Sequence, residues 1–185
     1  MKSSTSEFLT IRGLKAHVRL WGPADAPKLF LLHGWMDCSA SFQFLVDAFA
    51  RDWRVIAPDW RGFGQSEWLN ASYWFPDYLA DLERLLDHYA PDEPVRLVGH
   101  SMGGNVVMMY AGVRPERIRR LINLEGFGMP ATRPAQAPAR YAKWLDELKA
   151  LERGDIALKD YDAAAGVAAR LMKTNRRLSH DKADW

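Results

Sequence analysis

The chain has 185 residues, 48% of them hydrophobic and 26% charged, enough apolar material for one domain with a sizeable core. That composition excludes a disulfide mini-protein or a disordered tail. Its 25 lysines and arginines against 23 acidic residues leave a formal charge of +2, spread evenly along the chain, so charge gives no reason to expect nucleic acid or an anionic membrane as partner. A single cysteine, Cys38, excludes an internal disulfide and fits a reducing compartment. The start, MKSSTSEFLTIRG, has no apolar core and no small-residue cleavage site, so no signal peptide is expected. Apolar runs such as Leu29–Leu32 fall far below the ~20 residues a membrane span needs. A soluble, cytoplasmic protein is the expectation.

Taken in chain order, Phe8–Arg12 and Ala16–Trp21 flank the turn Gly13-Leu14-Lys15 and read as an antiparallel hairpin. Lys28–Leu32, Arg54–Ala57, Val95–Val98 and Arg120–Leu124 follow as near-continuous Val/Ile/Leu runs, the pattern of parallel strands buried on both faces. Between them, Phe42, Leu45, Val46 and Phe49 recur at helical spacing, as do Leu79, Leu82, Leu85, Leu86 and Tyr89. Pro76 and Asp77 suit the first turn of that second helix. Strand alternating with helix predicts an α/β fold, a mostly parallel sheet with flanking helices and right-handed crossovers. After Glu125 the character changes. Gly126–Pro138, GFGMPATRPAQAP, reads as a loop or linker, and two helical patterns follow, Ala139–Glu152 and Asp155–Lys173, separated by Arg153-Gly154. No further strand is predicted before Trp185, and there are no internal repeats.

The segment richest in chemistry is VRLVGHSMGG, residues 95–104. It sets Gly99-His100-Ser101-Met102-Gly103 directly after a buried-type strand and before a helix predicted over Gly104–Gly112, which is G-x-S-x-G in its strand–turn–helix context. A nucleophilic serine must stand at the tip of a tight, strained turn with its hydroxyl exposed above the sheet. Side chains two residues to either side would collide, hence Gly99 and Gly103. The helix N-terminus also aims amide N–H groups at any negative charge that develops there. A glycine-rich turn with an idle, solvent-facing serine is the alternative for the motif alone.

Two more segments argue against that alternative. LFLLHGW, residues 29–35, is a strand ending in His-Gly, and VIAPDWRGFGQS, residues 55–66, contains D-x-R-G-x-G-x-S. With these three motifs in order, covering about residues 8–125, the chain resembles the α/β-hydrolase family. The resemblance implies an oxyanion hole made by the backbone amides of Trp35 and Met102, each donor worth about 3–4 kcal/mol of transition-state stabilisation. His33 and Gly34 then belong to the oxyanion turn, with His33 holding its hydrogen bonds. Asp59, Arg61, Gly62, Gly64 and Ser66 read as structural residues of the loop that borders the site.

A serine nucleophile needs a histidine base and a carboxylate to orient it, and in this fold the chain order is serine, acid, histidine. Glu125 lies 24 residues after Ser101 at the C-terminal tip of the next strand, where active-site groups of α/β sheets gather. Triad acid and loop or helix-capping carboxylate are both open readings for it. No base is found. His180, the only histidine after Ser101, sits in the polar tail LSHDKADW and reads as a solvated residue. His100 is expected to point away from Ser101 towards neighbouring loops, and His17 and His88 read as ordinary strand and helix-surface residues. In relatives the base follows the last strand, so the chain is expected to be the N-terminal part of a longer protein and, alone, inactive.

The resemblance also divides the chain into residues 1–127, the N-terminal part of the hydrolase core, and residues 128–185, a linker and partial helical cap. Of the eight tryptophans, Trp35, Trp60, Trp68, Trp74, Trp144 and Trp185 either line a substrate cavity under that cap or pack core and cap. Arg114, Arg117, Arg119 and Arg120 read as a solvated face, and Met102, Met108 and Met109 as packing residues. Cys38 has no basic partner near it in sequence and is not expected to be a nucleophile. The function implied is a serine hydrolase of esterase or lipase type, acting on a small apolar ester-like substrate without cofactor or metal. A serine at the nucleophile position argues against dehalogenase chemistry. The alternative is a non-catalytic ligand-binding or interaction protein on the same fold. Oligomeric state has no signal in the sequence.

Overall fold

A computed structural model describes residues 1–69, 72–128, 131–155 and 160–184. Strands β1 (Ser4–Ile11) and β2 (Leu14–Trp21) pair antiparallel, with Ile11 opposite Leu14. The turn is Arg12-Gly13, both at positive φ (50° and 83°), so it is two residues long rather than the expected three. Two left-handed residues match the twist of the flanking strands, which lets both run to the turn.

The rest of the first unit alternates as expected. Strand β3 (Lys28–Leu32) leads through a 3-10 turn, Ser39–Phe42, to a short helix α1 (Gln43–Asp47) and then to β4 (Arg54–Pro58). The helix expected over Phe42–Phe49 is therefore partly 3-10 and ends early; Phe49 and Trp53 pack from the loop beyond it. Helix α2 (Phe75–Tyr89) starts with Pro76 and Asp77 in its first turn and stops at Ala90, just before Pro91. Strand β5 (Val95–His100), helix α3 (Met102–Val113) and strand β6 (Ile118–Leu124) complete it.

The sheet order is β1-β2-β4-β3-β5-β6, with β4, β3, β5 and β6 parallel. Both faces of β4, β3 and β5 are covered. Strand β6, expected to be buried on both faces, instead has no fully buried residue, because among the described residues it pairs on one side only, with β5. Phe30, Leu32, Ile56 and Leu97 pack with Leu82, Leu85 and Leu86 of α2 and Val106, Val107 and Tyr110 of α3. The alternate residues Leu29, Leu31, Val55 and Val98 pack with Trp21, Phe42 and Val46 on the other face. Each such side chain contributes about 1.5–3 kcal/mol, which is why these strands read as unbroken apolar runs.

The chain divides into two compact units, Met1–Met129 and Pro130–Trp185. The second contains α4 (Ala137–Glu152), α5 (Ala164–Thr174) and α6 (His180–Asp184). Helix α4 ends in a Schellman turn: Gly154, at φ 75°, donates to the Leu151 carbonyl and Asp155 to that of Ala150. The helix expected over Asp155–Lys173 is helical only from Ala164; residues 156–159 of that expectation lie outside the described residues, as do Trp185 and residues 129 and 130 of the expected linker.

Candidate active site

Ser101 stands between β5 and α3 at φ 50°, ψ −113°, a backbone conformation that costs a non-glycine residue about 1–3 kcal/mol. Crowding holds it there. A Cβ on Gly99 would overlap the Gly103 carbonyl, and one on Gly103 would overlap the carbonyls of Leu32 and His33 at the end of β3. The Ser101 amide donates to the Leu124 carbonyl at 2.8 Å, tying the turn to β6. Met102 opens α3, so its amide belongs to the first turn, whose N–H groups have no partner within the helix.

Residues 33–35 close against the same turn. A Cβ on Gly34 would lie 3.1 Å from His100 Nδ1 and 3.2 Å from Ser101 Cβ. His33 is fully buried. Its Nε2 accepts the Trp60 amide at 2.9 Å, so the ring proton is on Nδ1, which donates to the Gly34 carbonyl at 2.8 Å. The Trp60 indole N–H donates to the His33 carbonyl at 3.0 Å. Burial pushes the His33 pKa below its ordinary value, and the neutral ring is the form these bonds require. The Trp35 side chain is exposed and meets Phe63 edge-on at 5.3 Å.

The D-x-R-G-x-G-x-S loop is held from within. Asp59 accepts the amides of Ser39 (2.6 Å) and Gln65 (2.9 Å) and pairs with His17 Nδ1 (2.7 Å). Burial pushes its pKa up, but the amide bonds outweigh that and hold it below the usual carboxylate range. Arg61 makes two 2.5 Å bonds to Asp81 of α2, and Ser66 Oγ donates to the Asp59 carbonyl at 2.7 Å. Gly62 and Gly64 are both at positive φ, packed on Tyr73 and on the Asp59 carboxylate.

At the tip of β6, Glu125 adopts φ 64° with an exposed side chain, its carboxylate 3.9 Å from His100 Nε2. Both groups are solvated, so that pair is weak. Asn123 holds the turn: its side chain accepts the Gly126 amide (2.7 Å) and donates to the Gly126 carbonyl (2.6 Å). Asn123 went unremarked in the sequence, although an Asn three residues before a Gly is a turn signal.

The histidines are otherwise occupied. His17, expected to be an ordinary strand residue, is fully buried and bridges Asp59 to Ser6. His88 is on the surface of α2, 4.0 Å from Glu7. His180, in the second unit, pairs with Asp184 one turn along α6 and is exposed. Burial raises the Cys38 thiol pKa, which disfavours the thiolate.

A pocket of about 520 Å³ opens beside Ser101, walled by Trp35, Tyr73, Phe75, Tyr78 and Met109, with Asn105 one turn along α3. Among the described residues that line it, none is charged. Of the other tryptophans, Trp60 is buried in the core, while Trp68, Trp74 and Trp144 are exposed. Among the described residues no helix is long and apolar enough to cross a membrane, and no cluster of three His, Cys, Asp or Glu has metal-site geometry.

The family model for the alpha/beta hydrolase fold matches residues 27–160, which takes in all three motifs. The chain belongs to that family. It is 33% identical over 135 residues to a serine hydrolase-like protein of Danio rerio, covering 71% of this chain and 41% of the relative. It is 29% identical over 196 residues to the AB hydrolase superfamily protein YfhM of Bacillus subtilis, covering 97% of this chain and 67% of the relative. Among solved structures, the thioesterase domain from the curacin biosynthetic pathway superposes with a TM-score of 0.85 at 29% identity, covering 98% of this chain and 63% of that one. The chain spans about half the length of the curated relatives it matches.

Proposed function

We propose that the chain carries the nucleophile and oxyanion hole of a serine hydrolase that cleaves esters or related acyl bonds of small, apolar, uncharged substrates in the cytoplasm. The observation that carries this reading is Ser101, held left-handed by glycine contacts at a helix N-terminus beside an apolar pocket. Ser101 Oγ attacks the carbonyl carbon, and the backbone amides of Trp35 and Met102 hold the oxygen that becomes negative. The tetrahedral intermediate expels the alcohol, and water then hydrolyses the acyl-serine. Glu125 orients the histidine that takes the Ser101 proton. Because the histidines of the first unit are engaged elsewhere, that base is assigned outside residues 1–128. The likeness to a thioesterase domain and to serine hydrolase-like proteins supports acyl chemistry. The second unit, whose α4 leaves Tyr141, Trp144 and Leu145 exposed, is assigned the part of the partial cap.

The test is a fluorophosphonate probe on the protein as its native reading frame encodes it. A covalent adduct on Ser101, absent from Ser101→Ala, is expected; no adduct overturns the reading. One observation favours the second reading, a non-catalytic ligand-binding protein: His17, His33 and His100 all face partners other than Ser101. Full biological activity in Ser101→Ala would decide for it.

A further inference from the structure

At the far edge of the sheet from β6, three side chains repeat the order carboxylate, imidazole, hydroxyl. Asp59 Oδ2 lies 2.7 Å from His17 Nδ1, and His17 Nε2 lies 2.8 Å from Ser6 Oγ. Ser6 is on β1, four strand spacings from β5, or about 19 Å across the sheet, so this group is separate from Ser101.

The proton positions follow from the partners. An ionised carboxylate only accepts, so His17 Nδ1 carries a proton; in the neutral ring Nε2 then presents a lone pair, into which the Ser6 hydroxyl donates. That is the arrangement of an activated serine: base within reach of the nucleophile, and base oriented by a third group. Exposure is divided to match. Asp59 and His17 are buried, whereas Ser6 is exposed. Asp59 is itself locked by the amides of Ser39 and Gln65, so the imidazole has little freedom to turn away. Phe8 packs against the His17 ring at 5.2 Å. In register, Ser6 stands opposite Arg19, whose guanidinium bonds Ser4 Oγ at 3.0 Å and places a cation on the same face.

The geometry points to Ser6 as a second, acyl-accepting serine, reactive towards small activated acyl donors such as aryl esters. In the step, Ser6 Oγ forms a bond to the acyl carbon and the bond from that carbon to the aryloxide oxygen breaks. The Oγ proton passes to His17 Nε2 and from there to the departing aryloxide, leaving acyl-Ser6 and a phenol. Ser6 lies within a strand and not at a helix N-terminus, so no paired amides comparable to those at Ser101 face it. Each such donor is worth about 10²–10³ in rate. Slow, stoichiometric acylation is therefore expected, not turnover.

The experiment uses the protein with Ser101→Ala, which silences the first nucleophile, treated with 4-nitrophenyl acetate and mapped by peptide mass spectrometry. Acetyl is expected on Ser6 at least tenfold faster than on Ser3, Ser4 or Thr5, with no more than one equivalent of nitrophenolate tied to that site. Adding Ser6→Ala should remove this adduct, and adding His17→Gln should lower Ser6 labelling to the level of its neighbours. Ser6 labelling no faster than that of Ser3, Ser4 and Thr5 overturns the proposal, as does undiminished labelling in a folded His17→Gln protein. Should His17→Gln fail to fold, the comparison among the four neighbouring hydroxyls decides alone. None of these readouts depends on Ser101 being catalytic.

Discussion

His33 shows how one side chain can serve both the fold and the site. Its two ring nitrogens hold the Trp60 amide and the Gly34 carbonyl, which sets the turn carrying the Trp35 amide. Only the neutral ring can do both. Because burial lowers its folded pKa below the ordinary 6.5, the unfolded chain binds the proton first as pH falls. Stability is therefore complete above about pH 6.5 and declines as pH drops towards the folded pKa. Asp59, also lowered, adds a second loss as pH falls below its ordinary value of 3.8. Urea midpoints between pH 7.5 and 5 should show the first decline, and His33→Asn should flatten it while lowering stability at neutral pH by about 1–3 kcal/mol, the cost of a buried unpaired amide.

At the scale of elements, the loop after β4 and the strand β6 make opposite demands. Arg61 reaches from the loop to Asp81 of α2, with both side chains buried. Arg61→Ala would strand a buried carboxylate, and Arg12 at 3.3 Å can only partly neutralise it. A loss of about 3 kcal/mol in denaturant unfolding is expected. Strand β6 instead pairs with β5 alone among the described residues and exposes Ile122 (47%) and Leu124 (42%). An apolar edge of this kind invites pairing between copies. Ile122→Lys should lower aggregation in light scattering while shifting unfolding free energy by no more than about 0.5 kcal/mol.

Most elements were legible because their causes are local. The runs at β3, β4 and β5 announce strands buried on both faces, whereas the run at β6 gives a strand but not its exposure, and Pro76, Asp77 and Pro91 mark the ends of α2. The misses are local too, but of another kind. The two-residue turn at Arg12-Gly13 needed a left-handed arginine, which its residue type does not advertise. The helix expected from Asp155 had helical spacing, yet only Ala164–Thr174 forms it among the described residues.

Across the first unit, four parallel strands bring the ends of β3, β4, β5 and β6 to one edge, and with them His33, Asp59, Ser101 and Glu125. Among the described residues, the pocket there has largely aromatic walls without charge. If the proposed hydrolase acts through it, a carboxylate in the acyl group has no partner. An uncharged acyl ester should then exceed its carboxylate-bearing analogue in kcat/KM by at least about 100-fold. Steady-state kinetics on such a pair checks this.

The fold and the tight turn at Ser101 were determined by the amino-acid sequence, because burial pattern, glycine spacing and turn chemistry act over a few residues. Gly99 is recognisable for that reason, since a Cβ there would meet Gly103 four positions on, whereas the carbonyls that forbid one at Gly103 belong to Leu32 and His33 at the end of β3. Partnerships over tens of residues are another matter. Nothing in the neighbourhood of His17 announces that Asp59, 42 positions on, will lock its ring, or that Ser6 will meet its other nitrogen. Nor does LINLEGFG reveal that Glu125 turns left-handed under the grip of Asn123. Only the tertiary structure decided these, since hydrogen-bond partners are chosen by whichever groups the sheet brings within 3 Å, and strand order is set by the packing of the whole core.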